Sequence, residues 1–335
     1  MQSNYHEVVH QMGDFGIQLR PQDLPLQVDL PRKRTCGKGG KYWYRLYEFR
    51  PRAGGAYIVG AYGSYASGEW QKVEVDWRPL SEAERERFRM ERAAAEAKAR
   101  EEREHEAQLA AMSAAELWRT ASREGKSAYL QRKGVDAEAC RYLRDGSIVV
   151  PLLRYDLPRE HALRALQRIY PGPRFDRRTG EQLPQKTFTK GFMKDGCCLR
   201  LGEVQAGDVI LVCEGYATGL SLRMAVERRQ PVFVALDAHN LAHVVEILRR
   251  LYPDHPLLIC ADDDHRRRHH MTGELENLGR LAAWKVARQV EGCYVTYPVF
   301  GANRGEDDTD FNDLHARDGL VTVAEQLRLV LEALQ

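Results

Sequence analysis

From residue 206 to residue 300, short apolar segments alternate with amphipathic helical segments, and this alternation restricts the fold more than any other feature. The predicted strands contain DVILVC, PVFVAL, HPLLICA and CYVTYPV. The helical segments between them are YATGLSLRMAVERR, AHVVEILRRLYP and ELENLGRLAAWKVARQVEG. Strands that are apolar throughout are typical of a sheet covered on both faces. The order predicts an α/β domain with a mainly parallel sheet and helices on both faces.

Acidic residues follow three of these predicted strands at the point where each strand ends. Glu214 follows the first strand, Asp237 the second, and Asp262, Asp263 and Asp264 the third. In an open α/β sheet, ligands bind beyond the carboxyl ends of the strands. Mg²⁺ prefers oxygen ligands and is commonly held by one or two carboxylates together with substrate phosphates. The three strand ends together predict a site for a hard divalent cation.

Each acid taken singly has a simpler interpretation as a helix cap or a solvated loop residue. Asp262 and Asp264 are two residues apart, so on an extended segment they would face the same way, and Asp263 would point elsewhere. Asp237 would either cap the following helix or contact the metal. The sequence leaves both roles of Asp237 open.

The segments before residue 206 have three different compositions. Residues 119–205 contain two predicted strands, SIVVPLLRY and ALRALQRIYP, and many basic residues. Residues 81–118 are mostly Ala, Glu and Arg, which favours a solvent-exposed connecting helix. Residues 1–80 combine aromatic, β-prone segments with the basic stretch PRKRTCGKGGK. They predict a small antiparallel β domain that either binds single-stranded nucleic acid or simply has an aromatic core.

The overall composition excludes some classes of protein. The net charge of the 335-residue chain is only +2, so a nucleic-acid site would need locally clustered charge. The seven cysteines contain no C-x-x-C pair, which predicts reduced thiols and no zinc site. No apolar run approaches the roughly 18 residues of a membrane span, and no signal pattern begins the chain. We therefore expect a cytoplasmic protein without a membrane partner.

Four blocks in the second half of the chain resemble a known family. CEGYATGLSL, VALDAHNL, ICADDDH and TDFNDLH, in this order, resemble the Toprim domain of primases, in particular the plasmid- and phage-encoded type. The Toprim pattern is a Glu after one strand and a D-x-D after a later one, here Glu214 and Asp262/Asp264. Upstream, SIVVPLLRYD, LRALQRIYP and KTFTKGFMKDGCCLRLGE are similar to the basic subdomain that precedes Toprim in bacterial primases. The resemblance covers about residues 120–320 and suggests a mobile genetic element.

The resemblance implies an architecture and a set of site residues. The expected order is a β-rich domain (1–80), a charged helix (81–118), a basic subdomain (119–205), the Toprim domain (206–300) and an acidic loop with a helix (301–335). The expected catalytic metal ligands are Glu214, Asp262 and Asp264, with Asp310 as a further ligand and Asn312 and Asp313 beside it. The expected nucleic-acid or nucleotide-binding residues are Arg168, Lys186, Lys190 and Lys194. The expected cofactor is Mg²⁺ or Mn²⁺.

The function that the resemblance implies is synthesis of short RNA primers on a single-stranded DNA template from NTPs. Its expected partners are a replicative helicase or plasmid or phage replication proteins. Thr218 stands where replicative bacterial primases carry an acidic residue, and the plasmid-type relatives resemble this sequence more closely there. No zinc ribbon precedes the core, which puts sequence-specific initiation in doubt or assigns it to residues 1–80. A Toprim nuclease and a non-catalytic, single-stranded nucleic-acid-binding accessory protein remain alternatives. His269 and His270 would either bind metal or lie in a solvated loop.

Overall fold

The computed structural model describes residues 2–30, 32–50, 55–65, 67–75, 82–267 and 275–334, apart from several side chains near the start of the long helix and that of Lys38. His269 and His270 lie outside these residues. The chain forms two compact units, one made of Met1–Glu102 with Arg268–Leu275 and one made of Arg103–Arg267 with Glu276–Gln335. The division into five segments that the sequence suggests remains a prediction.

The described residues before the long helix form a small antiparallel sheet with a helix packed on it, and the antiparallel β unit predicted there is confirmed. Its elements are α1 (Tyr5–Asp14), β1 (Arg34–Cys36), β2 (Tyr42–Phe49), β3 (Tyr57–Ser64) and β4 (Trp70–Lys72), with 3-10 turns at Pro21–Asp23 and Lys38–Gly40. The strands lie in the order β1-β2-β3-β4. Helix α1 was not predicted; it places Val8 and Met12, four residues apart, against Tyr44, Leu46 and Ile58 in the core.

A long helix follows, α2 (Glu82–Thr120), close to the predicted range of 81–118. The prediction of a solvent-exposed helix holds for most of the described side chains but not for Ala99, Ala107, Ala110 and Ala114, which are buried. The last three are spaced three and four residues apart, which gives this part of the helix a narrow packing stripe without any large apolar side chain. Ala114 packs in one cluster with Val149.

The next part of the chain forms an antiparallel sheet, as the two predicted strands suggest. Its elements are α3 (Ala128–Lys133), β5 (Arg141–Tyr142), β6 (Ile148–Leu153), α4 (Arg159–Ala162), β7 (Leu163–Ile169), β8 (Arg174–Phe175), β9 (Gln182–Leu183) and β10 (Lys186–Phe188). The sheet has the order β10-β7-β6-β5, and β8 pairs with β9 as a separate two-stranded sheet. Strand β10 is therefore an edge strand, which leaves Lys186 at the border of the sheet.

The rest of the chain is the predicted α/β layer structure. Its strands are β11 (Leu199–Leu201), β12 (Ile210–Cys213), β13 (Val232–Val234), β14 (Leu257–Cys260) and β15 (Cys293–Thr296). Its helices are α5 (Tyr216–Ala225), α6 (Ala238–Leu251), α7 (Leu278–Gln289), α8 (Phe311–Asp318) and α9 (Leu320–Leu334). In the order β11-β13-β12-β14-β15, the last four strands are parallel and β11 runs antiparallel to β13. The predicted mainly parallel sheet is confirmed, and it begins before residue 206.

Helices cover both faces of this sheet, as the apolar strands predict. Leu220 of α5, Phe311 of α8 and Leu327 of α9 pack with one set of strand residues, including Leu211 and Leu258. On the other face, helices α6 and α7 pack against the alternate strand residues through Val244 and Val286, with Val212 and Ile259. Helix α8 was missed, because TDFNDLH was interpreted as an acidic loop.

In the part of the chain that the structure describes, no helix is both long and apolar enough to cross a membrane.

Candidate metal centre

The sheet topology brings the predicted acidic residues to one edge. Strand β12 lies between β13 and β14. From β12 the chain passes through α5 to β13 on one side, then returns through α6 to β14 on the other side. Ligands of α/β sheets bind where successive connections diverge in this way, beyond the carboxyl ends of the strands. Glu214 follows β12 and Asp262 follows β14, so both acids lie at this point.

Asp262 carries a buried carboxylate oxygen that the protein does not satisfy. Its Oδ1 atom has no hydrogen-bond partner among the residues described. Burial, followed by the carboxylates of Glu214, Asp310 and Asp264, raises the pKa of Asp262 well above its usual value. A buried polar atom without a partner is costly, and a charged one more so. An oxygen in this position fits a cation ligand.

Glu214 experiences the same repulsion. Burial, followed by the negative charges of Asp264 and Asp237, raises the pKa of Glu214 to about 7. Like-charged carboxylates in one site disfavour each other's ionised form, and a divalent cation between them removes this penalty. The donor set is made of oxygen atoms, which suits Mg²⁺ because this ion takes one or two carboxylates and retains several waters. The residues present therefore fit the expected ion.

Among the side chains that the structure describes, no three His, Cys, Asp or Glu residues converge into a complete metal-binding group.

Asp264 is placed by the start of helix α7. Its Oδ2 atom accepts a hydrogen bond from the backbone N–H of Gly279 at 3.2 Å and lies 3.7 Å from Nη1 of Arg267. Its own backbone N–H donates to Oδ1 of Asn277, the residue that caps α7. A Cβ atom on Gly279 would lie 2.4 Å from the carbonyl oxygen of Asp262. Glycine at this position therefore permits the helix to approach the D-x-D backbone.

Asp263 is held by two arginines and an asparagine, and its predicted direction, opposite to Asp262 and Asp264, stays a prediction. Its buried carboxylate forms ion pairs with Nη1 of Arg304 at 2.7 Å and with Nε of Arg280 at 2.8 Å. Nδ2 of Asn277 donates to Oδ1 of Asp263 at 2.5 Å. Asp263 therefore anchors the segment that carries Asp262 and Asp264, through contacts with α7 and with the loop before α8.

Asp310 is the N-cap of helix α8. Its Oδ1 accepts hydrogen bonds from the backbone N–H groups of Asn312 (2.8 Å) and Asp313 (2.9 Å), and its Oδ2 accepts one from Oγ1 of Thr218 (2.9 Å). Burial and the charge of Asp313 raise the pKa of Asp310. Thr218, the residue that departs from the bacterial pattern, thus holds the predicted further ligand in place. The carboxylate of Asp310 is near enough to Asp262 to raise its pKa, and both of its oxygen atoms already accept hydrogen bonds.

Asp237 caps helix α6, which is the simpler of its two predicted roles, and its contact with a metal stays a prediction. Its Oδ1 accepts a hydrogen bond from the backbone N–H of Asn240 at 3.0 Å. Its Oδ2 pairs with Nζ of Lys194 at 2.5 Å. The predicted phosphate-binding Lys194 is therefore engaged by a carboxylate at the edge of the site.

The three predicted lysines do not follow one strand. Lys186 lies in β10, while Lys190 and Lys194 lie in the turns beyond it. Lys186 as a whole residue is exposed, but its ammonium group is surrounded by protein, and this burial lowers its pKa. The negative charges of Asp310 and Asp262 act to raise the pKa of Lys186, and the positive charge of Lys133 acts to lower it further. These interactions place Lys186 beside the acidic cluster. Lys190 is exposed and forms no ion pair with any residue in the described ranges.

Arg168, also predicted to bind nucleic acid, is held within its own sheet. Its Nε donates to Oγ of Ser147 at 2.9 Å, its guanidinium pairs with Asp145, and it lies 4.7 Å from the ring centroid of Tyr170. It pairs with Thr187 across β7 and β10, next to Lys186. The structure therefore brings Arg168 near Lys186, with its charge already partnered.

Lys133 is a residue of this site that sequence reasoning missed. Its Nζ lies 3.7 Å from Oδ1 of Asp313, and its carbonyl oxygen accepts a hydrogen bond from Nδ2 of Asn312 at 2.8 Å. Lys133 is the last residue of α3, about 180 positions before its partners, and QRKGV is an ordinary helix end. Nothing in the local sequence distinguishes this lysine from a surface residue.

The acidic cluster lies inside a region that matches a known family. Residues 209–320 match the model of the Toprim domain. Residues 209–320 are a Toprim domain. It contains Glu214, Asp262, Asp264 and Asp310, and the resemblance to Toprim primases drawn from the sequence is confirmed for this part of the chain.

Two relatives from Escherichia coli, both named DNA primase TraC, are 33% identical to this chain over 118 residues. The match takes in 34% of this chain but only 8% and 11% of the relatives' lengths.

Among solved structures, the primase fragment of the bacteriophage T7 primase-helicase is similar with a TM-score of 0.37 and 14% identity, over 60% of this chain and 69% of that one. A T7 assembly in which primase domains bind an RNA/DNA hybrid has the same TM-score and identity, over 59% and 84% of the two chains.

Proposed function

We propose that this protein is a primase-like nucleotidyltransferase that synthesises short RNA primers on single-stranded DNA with Mg²⁺. The observation that carries the proposal is the buried, unsatisfied Oδ1 of Asp262, beside the carboxylates of Glu214, Asp310 and Asp264, in a Toprim domain. The names of the two E. coli relatives support it over the shared segment.

Glu214, Asp262 and Asp264 would hold Mg²⁺ or Mn²⁺, and Asp310 would serve as a further ligand. When bound, the ion would lower the pKa of the attacking 3′-hydroxyl and neutralise charge on the triphosphate. The protein's own part is to keep these carboxylates in place. Asp263, paired with Arg280 and Arg304, fixes the D-x-D segment, and Thr218 fixes Asp310.

Lys186 and Lys133 would bind the triphosphate of the incoming NTP. Both lie beside the acidic cluster, Lys186 by its electrostatic interaction with Asp310 and Asp262, and Lys133 by its contact with Asp313. Cations that face a transferring phosphoryl group stabilise the charge that develops on it. These lysines would also orient the triphosphate toward the carboxylates.

Lys190 would contact the template backbone from the turn after β10, where its ammonium is exposed. Arg168 and Lys194 would have to exchange their present partners, Asp145 and Asp237, for a phosphate. A replicative helicase, or replication proteins of a plasmid or phage, would be the partners of such an enzyme.

The test is primer synthesis by the purified full chain with single-stranded DNA, labelled NTPs and Mg²⁺. The double variant Asp262→Asn, Asp264→Asn should lose product by at least about a hundredfold, because ligand loss removes charge stabilisation in the reaction. The matched control is Asp254→Asn, an exposed aspartate in the turn after α6, which should be fully active.

Short oligonucleotides from the wild type and from the control, but not from the double variant, are the expected result. Cleavage of the DNA without synthesis, abolished by the same double variant, would replace this proposal with a Toprim nuclease. Binding without either reaction would make the chain a non-catalytic accessory protein.

A further inference from the structure

The sheet of the N-terminal unit has a second face whose residues the core does not use. On its first face, Tyr44, Leu46 and Tyr62 pack into the core. Because side chains alternate along a strand, their neighbours point to the opposite face. The strand register aligns two rows there across β2, β3 and β4. One row is Trp43–Gly63–Trp70, and the next is Arg45–Ala61–Lys72.

The first row is an aromatic surface built around a glycine. A Cβ atom on Gly63 would lie 2.4 Å from the carbonyl oxygen of Glu69, 2.8 Å from Cβ of Trp70 and 3.0 Å from Cζ2 of Trp43, so only glycine permits this close packing of strand and tryptophans. Trp43 is covered, and Nζ of Lys33 lies 3.6 Å from its ring centroid. Trp70 is 56% exposed, which is unusual for an indole in a paired strand. An accessible indole therefore lies next to a cation–π pair.

The second row supplies positive charge. Lys72 is exposed, and Nε of Arg45 is buried without a hydrogen-bond partner in the described part of the chain. The guanidinium of Arg45 lies 5.4 Å from the ring centroid of Tyr47. Residues 32–41 contain no acidic residue and five Lys or Arg residues, of which Lys33 lies over Trp43, while Arg34 pairs with Tyr44 on the core face. The face thus combines one open aromatic ring with several cations.

We propose that this face binds single-stranded DNA, with a base stacked on Trp70 and the backbone phosphates held by Lys72 and Arg45. Unpaired bases expose their faces for stacking on an aromatic side chain, while the neighbouring cations follow the phosphates. In a duplex these faces are occupied by neighbouring base pairs, so a flat indole cannot reach them. The choice of DNA as the ligand rests on the proposed function. The new element is a template-binding role for the N-terminal unit.

The test is the affinity of the full chain for a fluorescent oligo(dT), measured by anisotropy at several salt concentrations. Trp70→Ala should weaken binding by about 5- to 100-fold, whereas Trp70→Phe should retain most of it, since the ring can still stack. Lys72→Gln should lower the slope of log affinity against log salt by about 0.7, the value for one phosphate contact on a single strand.

The matched controls are Trp284→Ala and Lys285→Gln, an exposed tryptophan and an exposed lysine on α7. They should leave both affinity and salt slope unchanged. The proposal is overturned if Trp70→Ala binds like the wild type, if the controls lose as much as the Trp70 and Lys72 variants, or if duplex DNA competes as well as the single strand.

The outcome is separable from that of the primase assay. The Asp254→Asn control should make primers and bind oligo(dT) like the wild type. If the wild type makes no primers but Trp70→Ala still weakens DNA binding, the DNA-binding surface is supported and the proposed primase activity is refuted. If primers form and Trp70→Ala binds DNA normally, the enzyme activity stands and this surface fails.

Discussion

At the scale of single residues, the site is a set of acids in different electrostatic conditions. Asp263 is neutralised by two arginines and Asp310 is satisfied by three hydrogen bonds. Asp262 has no such compensation at its Oδ1 atom, and the charge of Glu214 adds to burial in raising its pKa. Burial, followed by the charges of Asp264 and Asp237, raises the pKa of Glu214, and the backbone N–H of Ala238 and the charge of Arg267 offset this only in part. These two carboxylates therefore destabilise the folded metal-free protein when both are ionised.

This repulsion predicts a variant that is more stable than the wild type. The pKa of Glu214 is about 7 in the folded state against an ordinary 4.5, so the folded state keeps a proton that the unfolded state has lost. The free energy of unfolding of the metal-free protein should therefore fall as pH rises from 4.5 to 7. At about pH 8, Asp262→Asn should raise it by about 1–3 kcal/mol by removing one of the buried charges.

Thermal unfolding with and without Mg²⁺ measures this effect. Mg²⁺ should stabilise the wild type by mass action and the Asp262→Asn variant far less. Asp254→Asn, at an exposed position, should keep the wild-type Tm and the wild-type response to Mg²⁺. A lower Tm for metal-free Asp262→Asn would mean that the carboxylate is satisfied in the fold and is not held ready for a cation.

At the scale of elements, the site depends on how closely α7 approaches the end of β14. Gly279 allows this approach, because any side chain there would meet the carbonyl of Asp262, and its N–H binds Asp264. Asn277 caps the same helix and contacts both Asp263 and Asp264. The start of α7 therefore positions the D-x-D segment from its backbone.

Gly279→Ala should destabilise the protein by about 1–3 kcal/mol, although alanine is the better helix former, because the added methyl group displaces the D-x-D backbone. Mg²⁺ should also stabilise the Gly279→Ala variant less than it stabilises the wild type. Gly13→Ala in α1 is the matched control, since nothing lies within 4 Å of a Cβ atom there. It should stabilise by about 0.5–1 kcal/mol, as expected for a helical glycine. Equal effects of the two variants, measured by chemical denaturation, would refute the packing argument.

At the scale of the whole molecule, each of the two compact units has a hydrophobic core of its own. Val8, Met12 and Tyr62 belong to the core of the N-terminal unit. The larger unit has separate cores on the two faces of the parallel sheet. The candidate metal ligands all belong to the larger unit, and the proposed DNA-binding face belongs to the smaller one.

Calorimetry should therefore resolve two transitions that respond to different changes. Mg²⁺ should raise the transition of the larger unit, because the carboxylates lie there, and leave the other in place. Met12→Ala should lower the transition of the N-terminal unit, by about 2–5 kcal/mol in the free energy of unfolding. One transition that moves with both changes would show that the units unfold as one.

The sequence by itself determined the alternation of strands and helices in the α/β part, the carboxylates at the strand ends, and the long helix. These follow from local periodicity and from chain order, which a single sequence contains. Helices α1 and α8 are also local features that the sequence contains. However, the pattern of α1 lies in a segment expected to be β-rich, and that of α8 lies in a segment expected to be an acidic loop.

Only the tertiary structure decided which charges meet at the site. Lys133 contacts Asp313, Thr218 binds Asp310, and Lys194 pairs with Asp237 across 43 to 180 positions of the chain. The evenly spaced Lys186, Lys190 and Lys194 diverge because the strand that carries the first ends at Phe188. The physical reason is that such pairs form only when separate helices and strands pack against each other. The burial of these side chains and the neutralisation of their charges therefore depend on residues that lie far apart in the sequence.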